Sequence, residues 1–314
     1  MAVTVVGSVA FDALETPFGQ RDKILGGAAT HFALAASFFT NVRVVGIVGD
    51  DFGEDELAVF ESRGINTDDL EHVRGERSFF WSGRYEGDMH VAETLETQLN
   101  VFASFDPVLS AEARDASIVF LANIQPDVQR RVREQCTSAV VTGLDSMNYW
   151  ITSARDSLVE TIRMVDVIVL NDAEVQMLTG EPNLARATRL LRELGPRVVV
   201  VKQGNYGAAM YTNDGVFFVP GYPLETVVDP TGAGDSFAGG FFGYLDCHVE
   251  RPLDDDVLRC ASVYGSVLAS FHIEAFGSER LHDLTLPQIK ERFQAFRRMT
   301  SFEEQPLLVR AGIE

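Results

Sequence analysis

Residues 228–243 read Val-Asp-Pro-Thr-Gly-Ala-Gly-Asp-Ser-Phe-Ala-Gly-Gly-Phe-Phe-Gly. Gly232, Ala233 and Gly234 stand directly before an acid, Asp235, and an apolar helical pattern starts there. Small residues let a backbone come close to a ligand and turn successive N–H groups toward it. A helix beginning at that point adds the positive end of its dipole. The stretch therefore predicts an anion hole with a carboxylate beside it. Such a pairing suits phosphoryl transfer, in which developing negative charge is held while an attacking hydroxyl is oriented. A Gly-rich turn before Asp also fits a plain loop with a helix N-cap, so its neighbours must decide between the two.

Upstream of this turn the chain alternates short apolar runs with amphipathic stretches. The runs are Ile118–Leu121, Ala139–Leu144, Val167–Leu170 and Val198–Lys202, with helical patterns near 126–136, 153–164, 172–179 and 183–194. That rhythm predicts a parallel sheet with crossover helices, an α/β fold. Residues 3–9 and 42–48 read as further buried strands, and 206–219 as a hairpin turning at Asn213-Asp214-Gly215. Near the C-terminus, Thr285-Leu-Pro-Gln288 fits a capping box with Pro in the first turn. Residues 77–102 differ: Phe79, Trp81 and Tyr85 alternate with Ser78, Ser82 and Arg84, as in exposed strands. With residues 11–25 they are read as a small β-rich lid inserted in one domain spanning 1–314; an ordinary edge hairpin is the alternative.

Composition narrows the class. The chain has 314 residues, 46% of them hydrophobic, enough to bury a large core. No apolar run approaches the ~20 residues of a membrane span. Three cysteines, Cys136, Cys247 and Cys260, lack metal-type spacing, so a reducing cytoplasm is expected. The net charge of −20 argues against nucleic acid or an anionic membrane as partner. It also means that an anionic ligand needs locally concentrated positive potential. A P-loop, a dinucleotide GxGxxG after the first strand, and HxH or HExxH zinc spacings are all missing from the sequence.

Asp229, Thr231, Gly232, Gly234, Asp235 and the small face Ala238–Gly239–Gly240 together resemble the C-terminal signature of the ribokinase-like, or phosphofructokinase-B type, carbohydrate kinases. The resemblance runs in register from residue 3 to about 295. It implies a three-layer sandwich with a central mostly parallel sheet and a small β-rich lid. It further implies MgATP-dependent phosphorylation of an alcohol on a small sugar or polyol. A nucleoside kinase of the same fold is the alternative, and a non-catalytic sugar or nucleotide sensor is the rival from another class. Asp235 would accept the hydroxyl proton, and the amides of Gly232, Ala233 and Gly234 would hold the phosphoryl group.

Other residues take roles under the same resemblance. Gly7-Ser-Val-Ala-Phe-Asp12 looks like the family's first strand, whose terminal Asp holds sugar hydroxyls; a carboxylate suits a vicinal diol, although Asp12 can also cap a turn. Many sugar kinases carry Asn where this chain has Ala10. Gly26-Gly27 resembles the diglycine whose amides lie against the acceptor. His31 stands where the ribokinase pattern has Asn, and both departures point to a different acceptor. Arg84 can stack on its lid neighbours or close over the substrate. Asn123 is placed to bond an acceptor hydroxyl, and Asp145 resembles an acid near the phosphates. Asn171-Asp-Ala-Glu174 resembles the Asn-x-x-Glu motif that positions Mg²⁺, and it also reads as an N-capped helix. Lys202-Gln-Gly204-x-x-Gly207 resembles the nucleotide-side loop, with Thr231 on the same side. Asp229 falls where related kinases bind a monovalent cation such as K⁺. Exposed lid strands suggest a homodimer through the lid.

Overall fold

β-branched runs build the large central sheet. In the computed structural model, which describes residues 1–305 apart from Asp88 and His90, β1 (Val3–Val6) starts at the centre of that sheet. The chain then leaves it for a hairpin, β2 (Ala10–Thr16) and β3 (Gly19–Gly26), and returns through α1 (Ala28–Ala36) to β4 (Val42–Gly49). Next come α2 (Glu54–Ser62), β5 (Asn66–Val73) and a second hairpin, β6 (Phe79–Tyr85) with β7 (Ala92–Gln98). After the short α3 (Ala111–Arg114) strand and helix alternate: β8 (Ile118–Leu121), α4 (Pro126–Gln135), β9 (Val141–Asp145), α5 (Asn148–Ser153), α6 (Arg155–Ile162), β10 (Val167–Asn171), α7 (Asp172–Thr179), α8 (Leu184–Leu194) and β11 (Val198–Lys202). The hairpin β12 (Ala208–Tyr211) and β13 (Val216–Val219) closes the edge, and α9 (Ala233–Asp246), α10 (Asp255–His272), α11 (Glu279–His282) and α12 (Leu286–Thr300) complete the chain.

The large sheet has the order β13-β12-β11-β10-β9-β8-β1-β4-β5, parallel from β11 to β5 and antiparallel at β12 and β13. Successive side chains of a strand face opposite sides. In β10, Val167 and Val169 join one buried cluster, with α1, α9 and α10, while Ile168 and Leu170 join the other, with α4, α6, α7 and α8. Both faces are thus covered, as a parallel sheet requires. The expected three-layer α/β sandwich is the observed one. β5 carries no apolar signature (Asn-Thr-Asp-Asp-Leu-Glu-His-Val) because it is an edge strand, and the sequence reading passes over it.

The two hairpins pair into a second sheet of order β3-β2-β6-β7, the expected lid. Its inner side forms a small cluster of Leu14, Tyr85, Met89 and Phe276, with Trp81 packed against it. Phe79 stacks on Phe102 at 5.4 Å, and Phe80 packs on the main core. The lid aromatics are therefore packing residues, not the free surface their alternation suggests. Outward, the lid is ionic: Arg84 pairs with Glu15 at 3.0 Å and Glu93 at 3.7 Å.

The small face of α9 has a packing cause. A Cβ at Gly239 would lie 2.3 Å from the Phe32 carbonyl oxygen and 2.8 Å from Ala35 Cβ. The α1 and α9 backbones touch there, and neither can yield without parting the helices. Gly239→Val is expected to lower stability by about 3 kcal/mol, read as a lower denaturant midpoint. An unchanged midpoint would show that the two helices can separate freely.

Candidate active site

Parallel strands deliver their C-terminal ends to one edge of a sheet, and open α/β folds bind ligands there. Asn123 follows β8, Asp145 ends β9, Asn171 ends β10 and Lys202 ends β11. Gln129 braces two of these ends, its side-chain amide donating to the carbonyls of Ala122 at 2.8 Å and Asp145 at 2.9 Å. Lys202 Nζ bonds Asp145 Oδ2 at 2.9 Å. Burial alone would depress the Lys202 ammonium, but Asp145 and Glu174 raise it above its ordinary range, so it keeps its charge. This is the local positive charge that an acidic protein needs to receive phosphate.

Asn171 and Glu174 form a reciprocal cap at the start of α7: Asn171 Oδ1 accepts from the Glu174 amide at 2.8 Å, and Glu174 Oε2 accepts from the Asn171 amide at 2.7 Å. Burial pushes the Glu174 carboxyl up to about 7, against the pull of Lys202. No three His, Cys, Asp or Glu side chains converge as a metal cage among the described residues. The donor set fits a Mg²⁺ carried mainly on phosphates and water, touching few carboxylates.

The turn 229–235 departs from expectation in one respect. Gly232 has a left-handed φ of 80° and precedes α9. The Ala233 amide donates to the Pro230 carbonyl at 3.2 Å, closing a tight turn. It is not available to an anion. The amides of Gly232 and Gly234 find no acceptor among the described residues, which leaves both able to bond an anion. A Cβ on Gly234 would stand 2.9 Å from Lys202 Nζ, which places the ammonium against the hole. Asp235 lies in the first turn of α9, and burial with the nearby charge of Asp145 raises its carboxyl to about 7.

Asp229 is fully buried and clamps two loops: Oδ1 accepts from the Thr231 amide at 2.9 Å and Oδ2 from the Gly277 amide at 2.8 Å. Thr231 is held further by its hydroxyl, which bonds the Tyr85 hydroxyl of the lid at 3.1 Å, and by its carbonyl, which meets His272 Nε2. Gly204 and Gly207 serve the fold. They shape the turn from β11 to β12, and a Cβ at Gly207 would meet the Val219 carbonyl oxygen at 2.1 Å. Gly207 thus approaches the chain's own backbone closely.

On the acceptor side, β1 stops at Val6 and Asp12 sits on lid strand β2, not on the first strand. A Cβ at Gly26 would lie 2.0 Å from Asp12 Oδ2, so only glycine leaves that carboxylate in place. Gly27, at φ 96°, presses on the Ser8 carbonyl. The first amides of α1 are capped by Ser8, through its hydroxyl to Ala28 and its carbonyl to Ala29, both at 3.0 Å. Sequence reasoning missed Ser8, whose only sign was its place before the lid. Asn123 Oδ1 is buried without a partner and offers an acceptor atom to a ligand.

Of the other two expected substrate residues, His31 lies beneath the turn and Arg84 on the outer face of the lid. His31 is 2% exposed, and both ring nitrogens are buried without partners. Its ring lies beneath Gly232, in the space a side chain there would take, and edge-on to His272 with ring centres 4.8 Å apart. Arg84 neighbours Tyr85, which points inward, so strand alternation turns Arg84 to the outer face.

Asp12 is pushed up to about 8 by burial and by the charges of Asp229 and Asp235, partly offset by a bond from the Gly27 backbone. In the unfolded chain it would ionise near its ordinary 3.8. Between those values the folded protein holds a proton that the unfolded chain has lost, so stability falls as pH rises through this window. Asp12→Asn is expected to raise Tm, and by more near pH 8 than near pH 5. Equal shifts in calorimetry at the two pH values would refute the buried-carboxyl reading.

Buried acid, paired glycine amides and a lysine at the C-terminal edge of a parallel sheet define a phosphotransferase-type site on a ribokinase-like fold. Residues 3–277 match the pfkB family carbohydrate kinase, and the chain belongs to that family. It is 30% identical to the cytidine kinase of Thermococcus kodakarensis over 81% of this chain and 91% of that one. The nucleoside kinase of Burkholderia thailandensis in complex with inosine superposes with a TM-score of 0.78 at 19% identity, covering 93% of this chain and 97% of that one. Arabidopsis thaliana ribokinase complexed with ribose and ATP gives 0.75 at 22% identity, covering 94% and 99%.

Proposed function

We propose that this protein transfers the γ-phosphoryl group of ATP to a hydroxyl on a ribosyl-bearing acceptor, a nucleoside in preference to a free sugar. The observation that carries the kinase reading is Asp235 beside the unpartnered Gly232 and Gly234 amides, with Lys202 against the hole. Asp235 takes the proton of the attacking hydroxyl; a carboxyl near 7 is poised for that at neutral pH. The Gly232 and Gly234 amides hold the phosphoryl oxygens, with Lys202 offsetting their charge. Asp12 holds the acceptor diol, with Asn123 nearby, and the lid excludes water. Mg²⁺ supplies charge neutralisation on the phosphates, and Glu174 would hold it through water.

The acceptor class rests on chemistry shared by the relatives' names: cytidine, inosine and ribose all carry a ribose ring. The departure at Ala10 sets this chain apart from the sugar-kinase pattern, which leaves room for a nucleoside. An ATP-consumption assay over cytidine, inosine, ribose, ribose 1-phosphate and a polyol tests the reading. Highest kcat/KM on a nucleoside is expected. A preference for free ribose or the polyol would overturn the nucleoside assignment, and no turnover anywhere would favour the sensor. Replacing potassium by choline in the same assay tests whether Asp229 also serves a monovalent cation.

A further inference from the structure

His272, the last residue of α10, is fully buried and used on both ring nitrogens. Nε2 meets the Thr231 carbonyl oxygen, and Nδ1 lies 3.1 Å from Ser236 Oγ. A carbonyl can only accept, so Nε2 carries the proton. Burial lowers the ring's proton affinity and keeps it neutral, so Nδ1 is bare and accepts from the Ser236 hydroxyl. The Thr231 carbonyl therefore sets the tautomer, and the Ser236 hydroxyl supports it by donating to Nδ1 and holding the ring in place.

The consequence falls on the next amide. Thr231 C=O and Gly232 N–H belong to one trans peptide, in which the two groups point in opposite directions. Holding the carbonyl toward α10 turns the Gly232 N–H away from it. Thr231 is pinned at its other two polar groups by Asp229 and Tyr85, and the His31 edge fills the space beneath Gly232 and beside His272. A glycine at left-handed φ could flip its preceding peptide easily; this network removes that freedom.

We propose that His272 is a positioning residue for phosphoryl transfer, aiming the Gly232 amide at the transferring group through the chain Ser236–His272–Thr231. The inference rests on the kinase reading of the same turn. His272→Phe keeps a ring without the donor, and His272→Gln keeps a donor at the Nε2 position. His272→Phe is expected to lower kcat roughly 30-fold, with KM for ATP and acceptor within about threefold of wild type. Affinity for fluoroaluminate in the presence of MgADP, which reads the anion hole without turnover, should fall in parallel. His272→Gln should recover most of both. Ser236→Ala, which removes the hydroxyl that holds Nδ1 and loosens the ring, should lower both about fivefold and tests the chain even if the Phe variant does not fold. Wild-type behaviour of either His272→Phe or Ser236→Ala, or a Gln variant as impaired as the Phe one, overturns the proposal. A wild type inactive on every acceptor and blind to MgADP–fluoroaluminate overturns the kinase reading, and this inference with it.

Discussion

Asp235→Asn is expected to lose about 10³-fold in kcat while ATP still binds. The substitution keeps size and hydrogen-bonding shape but removes the group that accepts the hydroxyl proton. Burial already holds this carboxyl near 7, so the wild-type kcat should rise with pH through that region and then level. The variant should show no such limb. Its thermal stability should rise at neutral pH and above, because an acid raised from 3.8 to about 7 opposes folding as pH climbs between those values. A more stable protein that has lost turnover is the signature of a strained functional acid. Turnover within tenfold of wild type would remove Asp235 from the chemistry.

Gly232→Ala should cost about 10²-fold in kcat for a different reason. Its φ of 80° is strained for any residue with a Cβ, and the added methyl would lie 2.4 Å from His31 Cδ2. The turn must shift, and the Gly232 amide shifts with it. ATP affinity should fall less than kcat, since an anion-hole amide acts most on the charge that develops in the transition state. A variant with half of wild-type kcat would mean that the hole does not depend on this amide.

The sequence carried the α/β rhythm because buried parallel strands are continuous apolar runs, and β8 to β11 are little else. It also carried the caps at Asn171 and Thr285, whose hydrogen bonds span only three residues. The tight turn before α9 was legible, but not that Ala233 closes onto Pro230, since amide direction depends on φ and ψ. The outward face of Arg84 follows from the unbroken alternation of β6, but its partners Glu15 and Glu93 lie on two other strands and no local pattern names them. The contact of His31 with His272 was not legible, because His272 lies at the far end of another helix. No spacing rule joins residues so distant in the chain.

One hydroxyl pair has a consequence for anyone redesigning this enzyme. Tyr85 of the lid and Thr231 of the anion hole meet at 3.1 Å, and burial raises the Tyr85 phenol to about 12, so it stays a neutral partner. The lid hairpin is therefore fastened to the turn before α9, which under the proposed function handles phosphate. A graft that swaps the hairpin to change specificity must bring its own tether for Thr231, or it will retune the acceptor and loosen the transfer step in the same stroke.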